Sequence, residues 1–302
     1  MKNTWLIIIA GAFILSSCTE NTSDLRYKSS DYYVSCILEA QNYIDGEQAV
    51  KLGSTMDIEN AQWDMMPVST ATVTVTEYTA EGVETNFLEL VWKEELRGYI
   101  DENSEMLISE EYSYHLRIVT ISGQLIEAET TIPKAVNVLG DSEMANQAWG
   151  FTEPADEWLS LILETADSEH PVQIATQDNE EFNLYTEFWC YEDYFDAEYI
   201  YPADDNDYPV DEEEYMGSPQ QYPRRSLGYY MYQPENELVN YNSYQTQMKF
   251  YGRTRLEVYS IDDNYLNYLY KSEGYMAGGI QGSIGVFGSK CGRKLYTRVV
   301  KQ

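Results

Sequence analysis

Between Thr70 and Tyr78 the chain reads TATVTVTEY, with Ala71, Val73 and Val75 alternating with Thr70, Thr72, Thr74 and Thr76. A period of two belongs to a strand with one buried face, because successive side chains point to opposite sides. No helical period competes with it here, so the segment demands a sheet to lie in. Asp31 to Ala40 (DYYVSCILEA) and Glu47 to Thr55 (EQAVKLGST) read as two earlier strands. Tyr112 to Ile121 and Gln124 to Ile132 read as a hairpin turned by the two residues Ser122-Gly123, with Tyr112, Tyr114, Leu116 and Ile118 on one face. Pro133 to Gly140 (PKAVNVLG) marks a boundary. Short strands at this density predict an all-β fold, with an immunoglobulin-like β-sandwich over 31–133. The Cys…Trp…Cys spacing of antibody domains is missing.

From 134 to 302 the pattern predicts a second β-rich domain with one short helix. Trp158 to Glu164, Phe182 to Tyr191, Gln247 to Ile261 and Lys294 to Val300 read as strands. Asp262 is a suitable N-cap for a helix from Asp263 to Lys271, which places Tyr265, Leu266 and Leu269 on one face and stops at Gly274. Gly278 to Gly288 (GGIQGSIGVFG) lies between strand-like segments, so its glycines are read as tight turns and close backbone approaches, not as a phosphate loop.

Charge bounds the class of partner. The chain carries 51 Asp and Glu against 19 Lys and Arg, a formal net charge of -32. That excludes a nucleic-acid partner, whose phosphates require clustered cations. No Lys or Arg occurs from Ala135 to Pro223, whereas the basic residues concentrate from Arg224 onward. The two regions would neutralise each other in part if they packed together. The acids are densest between Glu192 and Glu214, which predicts a solvated loop over about 192–228.

Candidate chemistry is sparse. Asp204, Asp205, Asp207 and Asp211 are hard oxygen donors of the kind calcium takes. Their spacing departs from the EF-hand, with no Gly at the sixth position and Pro209 inside, and a solvated loop is the simpler account. His115 and His170 have no neighbouring nucleophile, and GxSxG and HExxH are absent. Among many carboxylates, Glu187 beside Phe188 and Trp189 has the most apolar setting. No catalytic residue, cofactor or metal is therefore assigned, and the reading is of a non-enzymatic protein. Tyrosine is abundant, 28 residues against 8 Phe. Strand packing explains most of it, and an exposed subset such as Tyr199 or Tyr201 would suit stacking on a glycan. An adhesin or fimbrial subunit is a further alternative.

The N-terminus supplies an address. Lys2 precedes an apolar run from Trp5 to Leu15, about 16 Å as helix and half of a ~30 Å hydrocarbon core. This is the form of an export signal, residues 1–17, and not of a membrane span. Leu15-Ser16-Ser17-Cys18 resembles the bacterial lipobox, in which the signal is cut before a cysteine that is then acylated. Lipidation of Cys18 would hold the protein to a membrane by its acyl chains, with residues 18–30 as a flexible tether. Thr19 in place of Asp favours the outer membrane, the facing side left open. Cys36, Cys190 and Cys291 remain, without CxxC spacing, and permit either one disulfide or three buried thiols.

With this lipobox, Ala128 to Pro133 (AETTIP), Val258 to Tyr270 (VYSIDDNYLNYLY) and the late GGIQGSIGVFG, the chain resembles a lipoprotein family of Bacteroidota, domain-of-unknown-function family 4249. The resemblance covers about 31–302; the acidic loop and the QGS within the glycine run depart from it. It implies an outer-membrane lipoprotein with an N-terminal immunoglobulin-like domain, acting as a binding or accessory component beside a TonB-dependent receptor. It carries over no catalytic residue.

Overall fold

The computed structural model describes residues 32–54, 66–139, 153–158, 160–162, 173–176, 182–192, 224–233, 239–240 and 250–300. Among these the chain is mostly strand, in several sheets with one α-helix, as the all-β reading requires. The strands in order are β1 (Tyr32–Glu39), β2 (Lys51–Ser54), β3 (Met66–Pro67), β4 (Thr72–Tyr78), β5 (Glu84–Glu89), β6 (Val91–Lys93) and β7 (Gly98–Ile100). Next come β8 (Ser113–Val119), β9 (Leu125–Thr131), β10 (Val136–Leu139), β11 (Ser160–Ile162), β12 (Gln173–Thr176) and β13 (Phe182–Cys190). Then follow β14 (Arg224–Gln233), β15 (Val239–Asn240), β16 (Gly252–Ile261), the helix α1 (Asp263–Tyr270), β17 (Ile280–Gln281) and β18 (Ile284–Val300).

One long sheet runs β14-β13-β16-β18-β1-β2-β3, with β11 beside β18. A five-stranded sheet, β17-β9-β8-β4-β5, packs against its β1 side. The alternation in β4 does what it forecast. Val73 and Val75 are fully buried and meet Val34, Cys36 and Leu38 of β1 and Leu116 and Ile118 of β8 in one core. The sheet β10-β12-β15 packs through β10 against β16 and β18.

The same period of two carries polar tips inward. Glu77 follows Val73 and Val75 into the interior, where its carboxylate accepts from Tyr114 Oη at 2.8 Å and Thr85 Oγ1 at 2.7 Å. Tyr114 accepts in turn from the Ser109 amide at 2.8 Å. Burial holds its phenol well above the ordinary pKa, so it remains a donor. Tyr99 likewise donates to the Val68 carbonyl at 2.8 Å and accepts from the Ala71 amide at 2.9 Å.

Two local expectations need correction. The β8–β9 turn has three residues, not two: Gly123 N donates to Thr120 O at 2.9 Å and Thr120 N to Gln124 O at 3.0 Å. Gly123, at φ +83°, takes the left-handed position that such a loop requires. The acidic loop also stops earlier than about 228. Arg224 to Gly228 belong to β14, paired antiparallel with β13 from Cys190↔Arg224 to Phe182↔Gln233. Arg224 and Arg225 end the like-charge run, and Tyr229, Tyr230 and Tyr232 favour strand.

Helix α1 begins as its cap predicts. Asp262 Oδ1 accepts from Tyr265 N at 3.0 Å and from Ser289 N at 2.9 Å, tying the helix to β18. Tyr265, Leu266 and Leu269 pack on Tyr185, Tyr259 and Ile261.

The glycine run leads into a 17-residue strand that joins both halves of the long sheet. Ile284 to Lys290 pair parallel with Tyr33 to Glu39, and Lys290 to Val299 pair antiparallel with β16. The boundary at Pro133 therefore separates stretches of sequence that share one sheet. Gly285 permits the β1 contact. It sits at φ +122°, and a Cβ there would stand 1.9 Å from the Val34 carbonyl oxygen. Gly285→Ala should destabilise the fold by about 3 kcal/mol or more, measured as a lower midpoint in chemical denaturation; an unchanged midpoint would refute the role given to this contact.

Candidate functional site

Residues two apart on a strand share a face, and on the long sheet this builds a ladder of charge. Tyr185, Glu187 and Trp189 of β13 stand in register with Tyr259, Glu257 and Arg255 of β16. These in turn face Gly292, Lys294 and Tyr296 of β18. At β1, Glu39 lies opposite Lys290. The opposite face of the same strands carries Leu184, Phe188, Leu256, Val258 and Leu295, all buried.

The ladder is densely paired. Arg255 Nε lies 2.6 Å from Glu257 Oε1. That contact is off-axis, so the buried Nε has no hydrogen-bond partner and the attraction is Coulombic. Its guanidinium stacks 4.6 Å above Trp189, and Nη1 donates to Tyr191 Oη at 3.1 Å. Burial opposes its charge, but Glu257 and Tyr191 outweigh that and keep it protonated. Trp189 Nε1 donates to Glu187 Oε2 at 3.1 Å, and Tyr259 Oη donates to Glu257. Lys290 and Lys294 reach Glu39 at 3.0 and 3.5 Å. Three carboxylates thus meet three cations on one face. Glu187, the carboxylate with the most apolar sequence setting, is indeed buried, and its cross-strand neighbour is a second buried carboxylate, Glu257.

Beside this ladder lies a cleft of about 580 Å³, lined by Asp156, Glu157, Trp158, Glu192, Arg253 and Arg298. Trp158 meets Tyr191 and Tyr296 edge-on, at 4.9 and 5.8 Å between ring centroids. Glu192 Oε1 accepts from both the backbone N and Nε of Arg253, each at 2.9 Å. Burial raises the Glu192 pKa, but these bonds to Arg253 outweigh it and leave the carboxyl below its ordinary value.

A second concavity, about 470 Å³, lies on the outer face of the five-stranded sheet. Thr74 and Thr76 of the inner strand β4 form its floor, and their shortness makes the trough. Phe87 of β5 stands on one side, 58% exposed. His115 and Arg117 of β8 stand on the other, followed by Glu129 and Glu127 of β9. His115 Nε2 lies 3.2 Å from Glu129 Oε1, and Arg117 Nε lies 3.9 Å from Glu127 Oε1. The Tyr78 ring is 4.5 Å from that of His115. Sequence reading placed His115 in this strand but did not single out Phe87, Thr76 or Arg117. The available signal was the β4 alternation, which already assigned the threonines to the outer face.

Cys36, Cys190 and Cys291 are buried free thiols. Burial pushes Cys36 and Cys291 up to about 12, so both stay protonated and inert as nucleophiles near neutrality. Among the described residues no group of three or more His, Cys, Asp or Glu could hold a metal. Cys18, His170, Tyr199, Tyr201, Asp204, Asp205, Asp207 and Asp211 lie outside the described residues.

No protein-family model and no curated protein matches the chain. A solved structure from work on the host-cell-surface retention of a 1.5-MDa bacterial ice-binding adhesin is similar at 9% identity, with a TM-score of 0.19. The match covers 91% of this chain and 66% of that one, just under two thirds of its length. A likeness that slight carries no argument.

The Glu192–Arg253 pair has a definite pH signature. A carboxyl held below its ordinary 4.5 stabilises the fold above that value and loses the contribution as pH falls through the depressed one. Because Arg253 is 43% exposed, the contribution is under about 1 kcal/mol. Unfolding of Glu192→Gln against the parent should differ by this amount at pH 7 and converge in acid below pH 4.5; a difference that grows in acid would reverse the assignment.

Proposed function

We propose that this is a non-enzymatic lipoprotein, held at the outer membrane by acylated Cys18, that serves as a binding or accessory component of a TonB-dependent uptake system. The observation that carries this reading is Leu15-Ser16-Ser17-Cys18 at the end of a short apolar segment, followed by a polar tether and a β-rich body. Acyl chains on Cys18 would supply the anchor without a spanning helix. The resemblance to the Bacteroidota lipoprotein family supports the receptor as partner.

A second reading, a glycan-binding surface module, is favoured by the groove on the five-stranded sheet, where aromatic side chains stand beside hydroxyls and ion pairs. The two readings are compatible in one protein, since an uptake system needs a capture surface.

Cys18→Ala should move the protein from the membrane to the soluble fraction on cell fractionation and abolish incorporation of labelled palmitate. Cross-linking the parent before detergent extraction should recover a β-barrel receptor. Unchanged sedimentation of the variant would refute the anchor; recovery of the protein without any receptor would refute the partner.

A further inference from the structure

We propose that the groove on the outer face of the five-stranded sheet binds a neutral oligosaccharide. The inference rests on the glycan-binding reading and gives it a site and a ligand class. A sugar ring has an apolar C–H face and a rim of hydroxyls that both donate and accept. The groove offers the complement to each. Phe87, 58% exposed, supplies a flat apolar face at one wall. At the other wall His115 is braced by Tyr78 and Glu129, and Arg117 by Glu127.

Charge selects a neutral ligand. Each basic side chain of the groove already faces its own carboxylate, the His115 ring with Glu129 and the Arg117 guanidinium with Glu127. An anionic ligand would compete with those glutamates inside a chain of net charge -32, and a cationic one would compete with Arg117 for Glu127. A hydroxyl separates neither pair. It donates to a remaining carboxylate lone pair and accepts from a remaining N–H. Volume agrees, since 470 Å³ lies within the range of small-ligand sites. From Thr74 to Tyr78 the floor runs about 13 Å along β4, longer than a single sugar ring, so the ligand is a chain of rings.

The test uses the full-length protein in detergent. A glycan array identifies hits, and calorimetry with the best neutral oligosaccharide measures affinity for the parent, Phe87→Ala, Phe87→Leu, Arg117→Gln and Trp158→Ala. Loss of the aromatic face in either Phe87 variant should weaken binding about tenfold. Arg117→Gln should weaken it by a comparable factor, and Trp158→Ala, in the other cleft, should leave it unchanged. Thermal unfolding of each variant separates loss of a contact from loss of the fold, and the milder Phe87→Leu retains the shape of the wall. Binding lost in Trp158→Ala but kept in the Phe87 and Arg117 variants overturns this site and leaves the glycan reading standing. Hits confined to acidic glycans overturn the ligand class. An array without hits overturns both the inference and the reading on which it rests.

Discussion

The parallel pairing of β1 with the first half of β18 is the constraint on which the rest of the architecture depends. Seven consecutive residue pairs join strands about 250 residues apart in sequence. Without them β1 would have only β2 beside it, and the core around Val34, Cys36 and Leu38 would lose Phe287 and Cys291 from one wall. The second half of the same strand then aligns β16, which aligns β13 and β14. One extended segment, roughly 55 Å long at about 3.3 Å per residue, sets the register of both ends of the sheet. The closure entropy of so distant a contact is large but grows only logarithmically with separation, so a continuous ladder can offset it.

Glycine makes that strand possible, and tyrosine makes the interior satisfiable. The paired strands approach so closely at Gly285 that a methyl group would overlap the Val34 carbonyl. Elsewhere buried Tyr99 and Tyr114 and half-buried Tyr33 find partners for their hydroxyls: Tyr99 on Val68 and Ala71, Tyr114 on Glu77 and Ser109, Tyr33 on Tyr268 at 2.7 Å. A phenol buries a large apolar ring and still closes a hydrogen bond with backbone or carboxylate. At these positions the tyrosine is structural.

What could be read from the sequence follows from what periodicity encodes. The TATVTVTEY alternation fixed the faces of β4, and Asp262 fixed the start of α1, because both signals are local. Partners are not local. A period of two says which side of a strand is buried and nothing about which strand lies beside it. Hence GGIQGSIGVFG announced close approach without naming Val34. The polar face of β16 shows the same limit. Arg253, Arg255 and Glu257 alternate with Thr254, Leu256 and Val258, a pattern that names a polar face but not its burial, and Glu257 is 3% exposed. Burial there is offset by pairing: Arg255 and Glu257 pair along β16 itself, Arg253 pairs with Glu192 just beyond β13, and Lys290 and Lys294 of β18 reach Glu39 of β1, a cross-strand match that depends on register. The groove escaped notice for the same reason, since its walls come from strands flanking β4 on either side.

The ladder also changes the meaning of the net charge. Arg253, Arg255, Lys290 and Lys294, four of the cations that follow Arg224, are committed to Glu192, Glu257 and Glu39 within the sheet. Arg253 and Arg255 take one carboxylate each and the two lysines share Glu39, so four cations offset three anions here and the surplus of negative charge is carried elsewhere in the chain. If Cys18 is acylated as proposed, the net charge of -32 would oppose anionic headgroups over about a Debye length, ~8 Å at physiological salt. Adhesion through the acyl chains and repulsion through the body would then act in opposite directions along one tether, a balance that would favour holding the sheets off the bilayer.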